Sequence, residues 1–304
     1  GHFNHGLARL LTGDLVGGFE DYEWRWRLPE FTVRHRDIPP WEGQSLVGKS
    51  ILVHSEQGYG DTLQFVRYVP MLADQGARVL LETHEPLTRL LGKVDGVHEV
   101  IAHGVGPVSA DFQVPIMSLA HRFGTTLDQI PASVPYVSVP PVSVIDVGPV
   151  GKTIIGLAWA GRSTHKNDAN RSLEVASLKP LLDMTDIAWV SLQIDSHQNE
   201  SAIWAQGSIR DIRDQIKDFA DTATAIAAMD LVISVDTAVA HLAGALGMPV
   251  WVLLPFAPDW RWLLDRDDSP WYPTMKLFRQ KTPGDWEGVI NRVVEALLTL
   301  DYDS

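Results

Sequence analysis

The stretch DLVISVDTAVAHLAGALGMPVWVLLP, Asp230 to Pro255, decides the fold class. DLVISV is a short, mostly apolar run of strand length. TAVAHLAGALG predicts a helix built from small residues, and PVWVLLP predicts a second strand. Strand, helix and strand in direct succession make a parallel crossover unit. Apolar runs without polar alternation belong to strands covered on both faces.

Working outward, the same alternation continues. TIIGLAWAG and IAWVSLQI predict strands, SLKPLLDM and DFADTATAIAAM helices, and an amphipathic helix runs from Trp286 to about Leu300. From Lys49, ILVHSE, ARVLLETH and VHEVIA predict strands, with helices from about Thr62 to Gln75 and over PLTRLLGKV. Between the halves, Ile130 to Val150 is rich in proline and reads as a linker with an extended edge. The expected organisation is an N-terminal Rossmann-like domain over 49–150, including that linker, and a C-terminal one over 151–304. Both belong to the α/β class, and ligands of such folds bind outside the carboxyl ends of strands.

Residues 1–48 are expected to be a helical segment and linker. Two short helices meet near Gly13-Asp14, with Leu7, Leu10 and Leu11 on one stripe and Phe19, Tyr22 and Trp26 on the other. The spacing resembles a tetratricopeptide helix pair, whose faces need neighbours to be buried. Such a unit reads as the last of a longer array, with a simple helical cap as the alternative.

Composition excludes several classes. The chain of 304 residues has a formal net charge of −13, the wrong sign for a general nucleic-acid binder. It has no cysteine, hence no thiolate nucleophile and no Cys-based zinc site. No apolar run reaches membrane-spanning length without a charge, and no signal peptide is evident, so a soluble, cytoplasmic protein is expected.

Three loops at predicted strand ends could carry chemistry. In the opening stretch, Asp236 ends a strand and Thr237 starts a helix whose first amides and dipole suit an anion. His241, one turn on, shares that face; capping and a satisfied interior histidine are the plain alternatives. In LAWAGRSTHKNDANRSL, Arg162, His165, Lys166 and Arg171 form a basic cluster in an acidic protein, suited to phosphate or simply a solvated loop. In SEQGYGDTLQF, Ser55 to Phe65, Glu56, Gly58, Gly60 and Asp61 lie between a strand and a helix. Asp61 is read as a helix cap or as a general base, with Glu56 a rival for that role and the glycines allowing close approach. Farther on, Asp265-Arg266-Asp267 is too weak a match to a metal-binding pattern, and the group Trp260, Trp262, Trp271 and Tyr272 reads as pocket wall or packing.

The Gly60-Asp61 pair before its helix, and Asp236-Thr237-x-x-x-His241 followed by LAGALGMPVWVLLP, resemble glycosyltransferase family 9, the bacterial lipopolysaccharide heptosyltransferases. With YEWRW, WAGRSTHKND, RSL, DWRW and SPWYP, the chain is also similar to the C-terminal part of bacterial tetratricopeptide-repeat proteins that carry a glycosyltransferase domain. The likeness runs from about Phe3 to Leu298. It implies a GT-B fold, with two Rossmann-like domains facing across a cleft after the helix pair. It also implies an inverting, metal-independent transferase that uses a nucleotide-diphosphate sugar as co-substrate and no other cofactor. Asp61 matches the family's proposed base; Asp236, Thr237 and His241 match its donor motif. Lys166 matches the basic residue that meets donor phosphates, with Arg162 beside it. The acceptor would be a hydroxyl of a glycan or of a protein, selected in the latter case by upstream helical repeats. A non-catalytic nucleotide-sugar or glycan-binding module, a repeat-based protein scaffold and a nucleotide-sugar epimerase are the alternatives.

Overall fold

The computed structural model describes residues 1–141, 144–149, 151–162, 167–194 and 207–300. The chain divides into two compact units. Unit 1 is Gly1–Pro140 with Asp259–Asp265; unit 2 is Pro141–Pro258 with Arg266–Ser304. The DWRW segment, left in the second domain by a division at a single linker, is therefore part of unit 1.

Unit 1 begins with α1 (His2–Leu11) and α2 (Leu15–Tyr22). Asp14 caps α2 by accepting the Gly17 amide at 3.1 Å. The helices touch at glycines: a Cβ on Gly18 would lie 2.7 Å from the Leu10 side chain. Leu10, Leu15, Phe19 and Tyr22 are buried. The expected second stripe ends early, because the chain tightens into a 3-10 turn over Glu23–Arg27. That turn leaves Trp26 part-exposed and buries Arg25 completely.

The sheet of unit 1 contains β1 (Ser50–His54), β2 (Arg78–Thr83), β3 (Val97–Ala102) and β4 (Phe112–Pro115). All pairings are parallel, in the order β3-β2-β1-β4. The chain winds one way from β1 to β3 and then crosses to β4, so the topological switch point lies between β1 and β4. The single helix expected over 62–75 is instead α3 (Tyr59–Phe65), a 3-10 turn over Val66–Tyr68, and α4 (Val69–Asp74). Pro70 explains the break, since it has no N–H to return to the preceding turn.

In unit 2 the strands are β5 (Thr153–Ala158), β6 (Ile187–Ser191), β7 (Arg210–Asp211), β8 (Leu231–Val235), β9 (Val250–Leu254) and β10 (Met275–Arg279). They form one parallel sheet, order β10-β9-β8-β5-β6-β7, with the switch point between β5 and β8. β8 and β9 are buried along their whole length, as their unbroken apolar runs require. A core of Leu157, Trp189, Ile233, Leu253, Val289 and Val293, among others, lies under α11 (Trp286–Leu298). Unit 1 also contains α5 (Thr88–Leu91) and α6 (Ser118–Arg122), and earlier helices of unit 2 include α7 (Asp168–Arg171), α8 (Lys179–Leu182), α9 (Phe219–Ile226) and α10 (Ala238–Ala245), the last being the small-residue helix of Asp230 to Pro255. Its Gly244 is where packing is tightest: a Cβ there would meet Tyr272 and Met275 at 2.6 Å.

Candidate functional site

The switch point of unit 2 brings together two strand ends that are far apart in sequence. After β8 come Asp236 and Thr237, and Thr237 occupies the N-cap of α10. Its hydroxyl pairs with the Ser234 hydroxyl at 3.1 Å and makes no capping bond to the helix. The first amides of α10 are therefore not capped by Thr237, and the positive end of the helix dipole stands behind them. His241 is buried one turn on; its Nδ1 lies 2.8 Å from the Tyr272 hydroxyl and its Nε2 3.8 Å from the Asp236 carboxylate. His241 is thus held between Tyr272 and Asp236. Tyr272, which sequence reasoning assigned only to an aromatic wall, is its partner.

After β5 the chain runs through Gly161 to Arg162, which is exposed. Lys166, the expected phosphate-binding residue, and His165 lie outside the described residues. Arg171, noted in the basic cluster but given no role of its own, ties the two strand ends together. It donates from Nη1 to the Asp236 carbonyl at 2.9 Å and lies 3.4 Å from Asp168 through Nε. Its guanidinium crosses Gly161 so closely that a Cβ there would be 2.3 Å from Nη2. Asp168 and the Gly161 amide are in turn joined through the Ser172 hydroxyl, at 2.9 and 3.0 Å. A guanidinium braced beside a helix N-terminus favours a negatively charged guest.

In unit 1 the loop after β1 holds the other expected residues. Asp61 sits in the first turn of α3 and accepts the Gly58 amide at 2.8 Å, as a helix-capping carboxylate does. It also forms an ion pair with Arg261 from the inserted segment. Arg261 further donates to Gln64 at 2.6 Å and to Asp259 at 2.7 Å, and stacks over Trp260. Burial opposes the charge on Arg261, and Asp259 and Asp61 more than restore it. Both oxygens of Asp61 thus have one partner each; a carboxylate oxygen retains a second lone pair for a proton. No sequence signal beyond an arginine between two tryptophans pointed to Arg261, because its partners lie far back in the chain.

Glu56, expected to support Asp61 from the same strand end, is engaged by the helix pair. Its side chain is only 4% exposed and receives Arg25 through two bonds, at 2.7 and 3.0 Å. It also accepts the Met117 amide at 3.2 Å, joining the ends of β1 and β4 across the switch point. Arg25 reaches Glu23 at 2.6 Å and the Ser118 hydroxyl at 2.8 Å as well. Burial pushes the Glu56 carboxyl up, and Arg25 pulls against it. Glu56 is a structural anchor between the helix pair and the sheet. Gly60 lies within α3 and Gly58 at its N-cap, where its extended backbone puts no special demand on glycine.

Among the described residues no group of three or more His, Asp or Glu side chains is arranged to hold a metal ion. Nor is any helix among them long and apolar enough to cross a membrane.

The fold is shared with glycosyltransferases of known structure. E. coli ADP-heptose lps heptosyltransferase II matches 82% of this chain and 97% of its own, with a TM-score of 0.55 at 15% identity. The iron-containing heptosyltransferase TibC of E. coli, solved with ADP-D-beta-D-heptose, matches 84% of this chain and 76% of its own, with a TM-score of 0.54 at 12% identity. The glycosyl transferase family 9 protein of Veillonella parvula covers 86% of this chain and 93% of its own, with a TM-score of 0.50 at 10% identity. At such identities the likeness establishes the mixed α/β architecture with parallel sheets. In sequence the chain is similar to Protein FlbA of Caulobacter vibrioides, 27% identical over 97% of this chain. The chain spans 54%, about half, of that relative's length. No protein-family model matches the chain.

Proposed function

We propose that the protein is a glycosyltransferase of the GT-B type, moving a sugar from a nucleotide-diphosphate donor to a hydroxyl of a glycan or protein. The observation that carries the reading is the β5/β8 switch point, where α10 amides left uncapped by Thr237 stand beside the braced guanidinium of Arg171. The fold shared with heptosyltransferases supports the same direction. In this reading unit 2 takes the donor. The amides, Thr237, Arg171, Arg162 and Lys166 meet the diphosphate, and Asp236 and His241 shape the loop. Charge that grows on the departing diphosphate is met by donors already in place, which is where such groups lower a barrier most.

The reaction is a single in-line displacement. The acceptor oxygen forms a bond to the anomeric carbon as the carbon–oxygen bond to the diphosphate breaks and its electron pair leaves with the nucleotide. Asp61 receives the acceptor's proton, and the anomeric centre inverts. The reading assigns charge stabilisation to fixed cations and amides and needs no metal. Chemistry of this kind suits a cytoplasmic protein with access to nucleotide sugars, and upstream helical repeats would select a protein acceptor.

A second reading has one observation in its favour. Asp61 is already engaged by Arg261 and the Gly58 amide, as in a module that binds nucleotide sugars without turning them over. Calorimetric titration with nucleoside diphosphates and nucleotide sugars tests what both readings share. Arg171→Ala should weaken binding by about ten- to a hundredfold, the range for a charge-assisted bond and its support. Absence of heat with every nucleotide sugar would overturn both.

A further inference from the structure

Unit 1 holds a cavity of about 270 Å³ that is separate from the residues given roles above except Glu56. It lies between the segment 26–34 and the carboxyl end of β1, and Trp26 and Phe31 form part of its wall. Its polar lining comes from Arg34, His54, Glu56 and Gln57, with Glu30 and Thr32 on exposed backbone at the rim. Gln57 is next in the chain to Gly58, whose amide holds Asp61. We propose that this cavity binds one neutral sugar ring and that, on the transferase reading above, it is the acceptor's subsite.

Charge balance argues for a neutral guest. Glu56 is matched by Arg25 at 2.7 Å, and Arg34 is matched by Glu82 at 3.1 Å. Glu30 adds a negative charge at the mouth, so a phosphate or carboxylate would gain little from Arg34 and would face Glu30. An apolar guest fits no better, because it would strip water from polar groups without replacing its bonds. Those groups are already oriented. His54 Nε2 lies 2.9 Å from the Gln113 side-chain oxygen, so this nitrogen donates, and Nδ1 accepts from Arg34 at 3.4 Å. Burial holds His54 down at about 3, which keeps the ring neutral. Gln57 donates its amide nitrogen to the Tyr22 hydroxyl at 2.8 Å, leaving its side-chain oxygen as an acceptor. Arg34 supplies donors from a side chain that is 29% exposed.

A sugar ring meets both halves of this lining. Its C–H faces pack on aromatic rings, and its hydroxyls both donate and accept, as the Arg34 guanidinium and Gln57 Oε1 require. The Arg25 guanidinium, 4.3 Å from the centre of the Trp26 ring, keeps that ring in place. Small cavities with aromatic walls and a few fixed polar groups are the ordinary form of small-molecule sites.

The test is saturation-transfer NMR on the full chain with a panel of free neutral monosaccharides, alongside glucuronic acid and glucose 6-phosphate. The proposal expects one or more neutral sugars to bind with millimolar Kd and the two anions to bind at least about tenfold more weakly. Thr32→Trp, which fills the mouth from exposed backbone, should weaken sugar binding by at least about tenfold and leave thermal unfolding and nucleoside-diphosphate binding unchanged. Trp26→Ala should do the same to sugar binding. Repeating the titration with saturating nucleotide sugar separates the sources: undiminished binding of free sugar supports an acceptor subsite. Competition by nucleotide sugar, but not by nucleoside diphosphate, would make it the donor's and overturn the acceptor assignment. No neutral sugar binding at all, or binding unchanged in both variants, overturns the site itself. Sugar binding without any nucleotide binding would uphold the site and sink the transferase reading.

Discussion

The buried pair of Arg25 and Glu56 predicts a specific failure when one partner is removed. Arg25 is fully buried and Glu56 4% exposed at its side chain, with bonds of 2.7 and 3.0 Å between them. Arg25→Met keeps most of the side-chain volume and leaves Glu56 with only the Met117 amide at 3.2 Å. Glu23 is less affected, being 22% exposed and held by the Ser118 hydroxyl at 2.8 Å. Breaking such a pair costs about 3–5 kcal/mol, because a charge is left buried without its partner. That is a fall of roughly 6–20 °C in Tm at the usual ~2–4 °C per kcal/mol for a unit of this size. The sign of the pH dependence follows from the same carboxylate. Without Arg25 the folded-state pKa of Glu56, already above its unfolded value, rises further, so over a wider pH interval the folded state holds a proton the unfolded state has lost. Stability then falls as pH rises through that interval, and the deficit is largest near pH 8 and smaller near pH 5 (about 4.5 being the unfolded reference). Urea unfolding and calorimetry at both pH values would measure it. The double variant Arg25→Met/Glu56→Gln should recover more than half of the loss. A cost below about 1 kcal/mol, no pH dependence, or no recovery in the double variant would refute the assignment of Glu56 as a buried, compensated anchor.

Gly244→Ala should destabilise unit 2 by about 1–3 kcal/mol, since the added Cβ meets Tyr272 and Met275 at 2.6 Å. Because Tyr272 also holds His241, the same variant should weaken nucleotide binding; thermal unfolding and calorimetry read the two effects. Burial lowers His54 to about 3 and His103 to about 4, so the unfolded state binds protons that the folded state excludes below about pH 6.5. Stability should therefore fall as pH drops from 6.5 towards 4, and His54→Gln, which keeps a donor to Gln113, should flatten that fall in urea titrations.

The parallel α/β architecture was legible because central strands announce themselves. VISV and VWVLL in Asp230 to Pro255 are apolar on both faces, and a small-residue helix joins them. The Asp236–Thr237 turn followed from that pattern alone. Arg25, Arg261 and Arg34 were not legible, since each is a polar residue whose partners lie in other segments: Glu56, Asp61 and Glu82. Their burial depends on tertiary contact, and periodicity in the chain says nothing about it. The Pro70 break was visible in principle, yet the flanking apolar residues read as one continuous helical face. Glu56 and Asp61 looked equivalent as carboxylates after a strand. The fold separates them: one is 4% exposed and held by Arg25, and the other is 17% exposed and held by Arg261.

The central claim is that Asp61 takes a proton while unit 2 binds a nucleotide sugar. Donor turnover, read as nucleoside diphosphate released from a panel of nucleotide sugars, measures it most directly when wild type and Asp61→Asn are compared. Asparagine keeps one acceptor oxygen, enough for either the Gly58 amide or Arg261, but it cannot take the proton. The account predicts turnover of at least one donor by the wild type, a loss of about 10²–10⁴-fold in Asp61→Asn, and unchanged nucleotide affinity. Equal turnover by both proteins would contradict it.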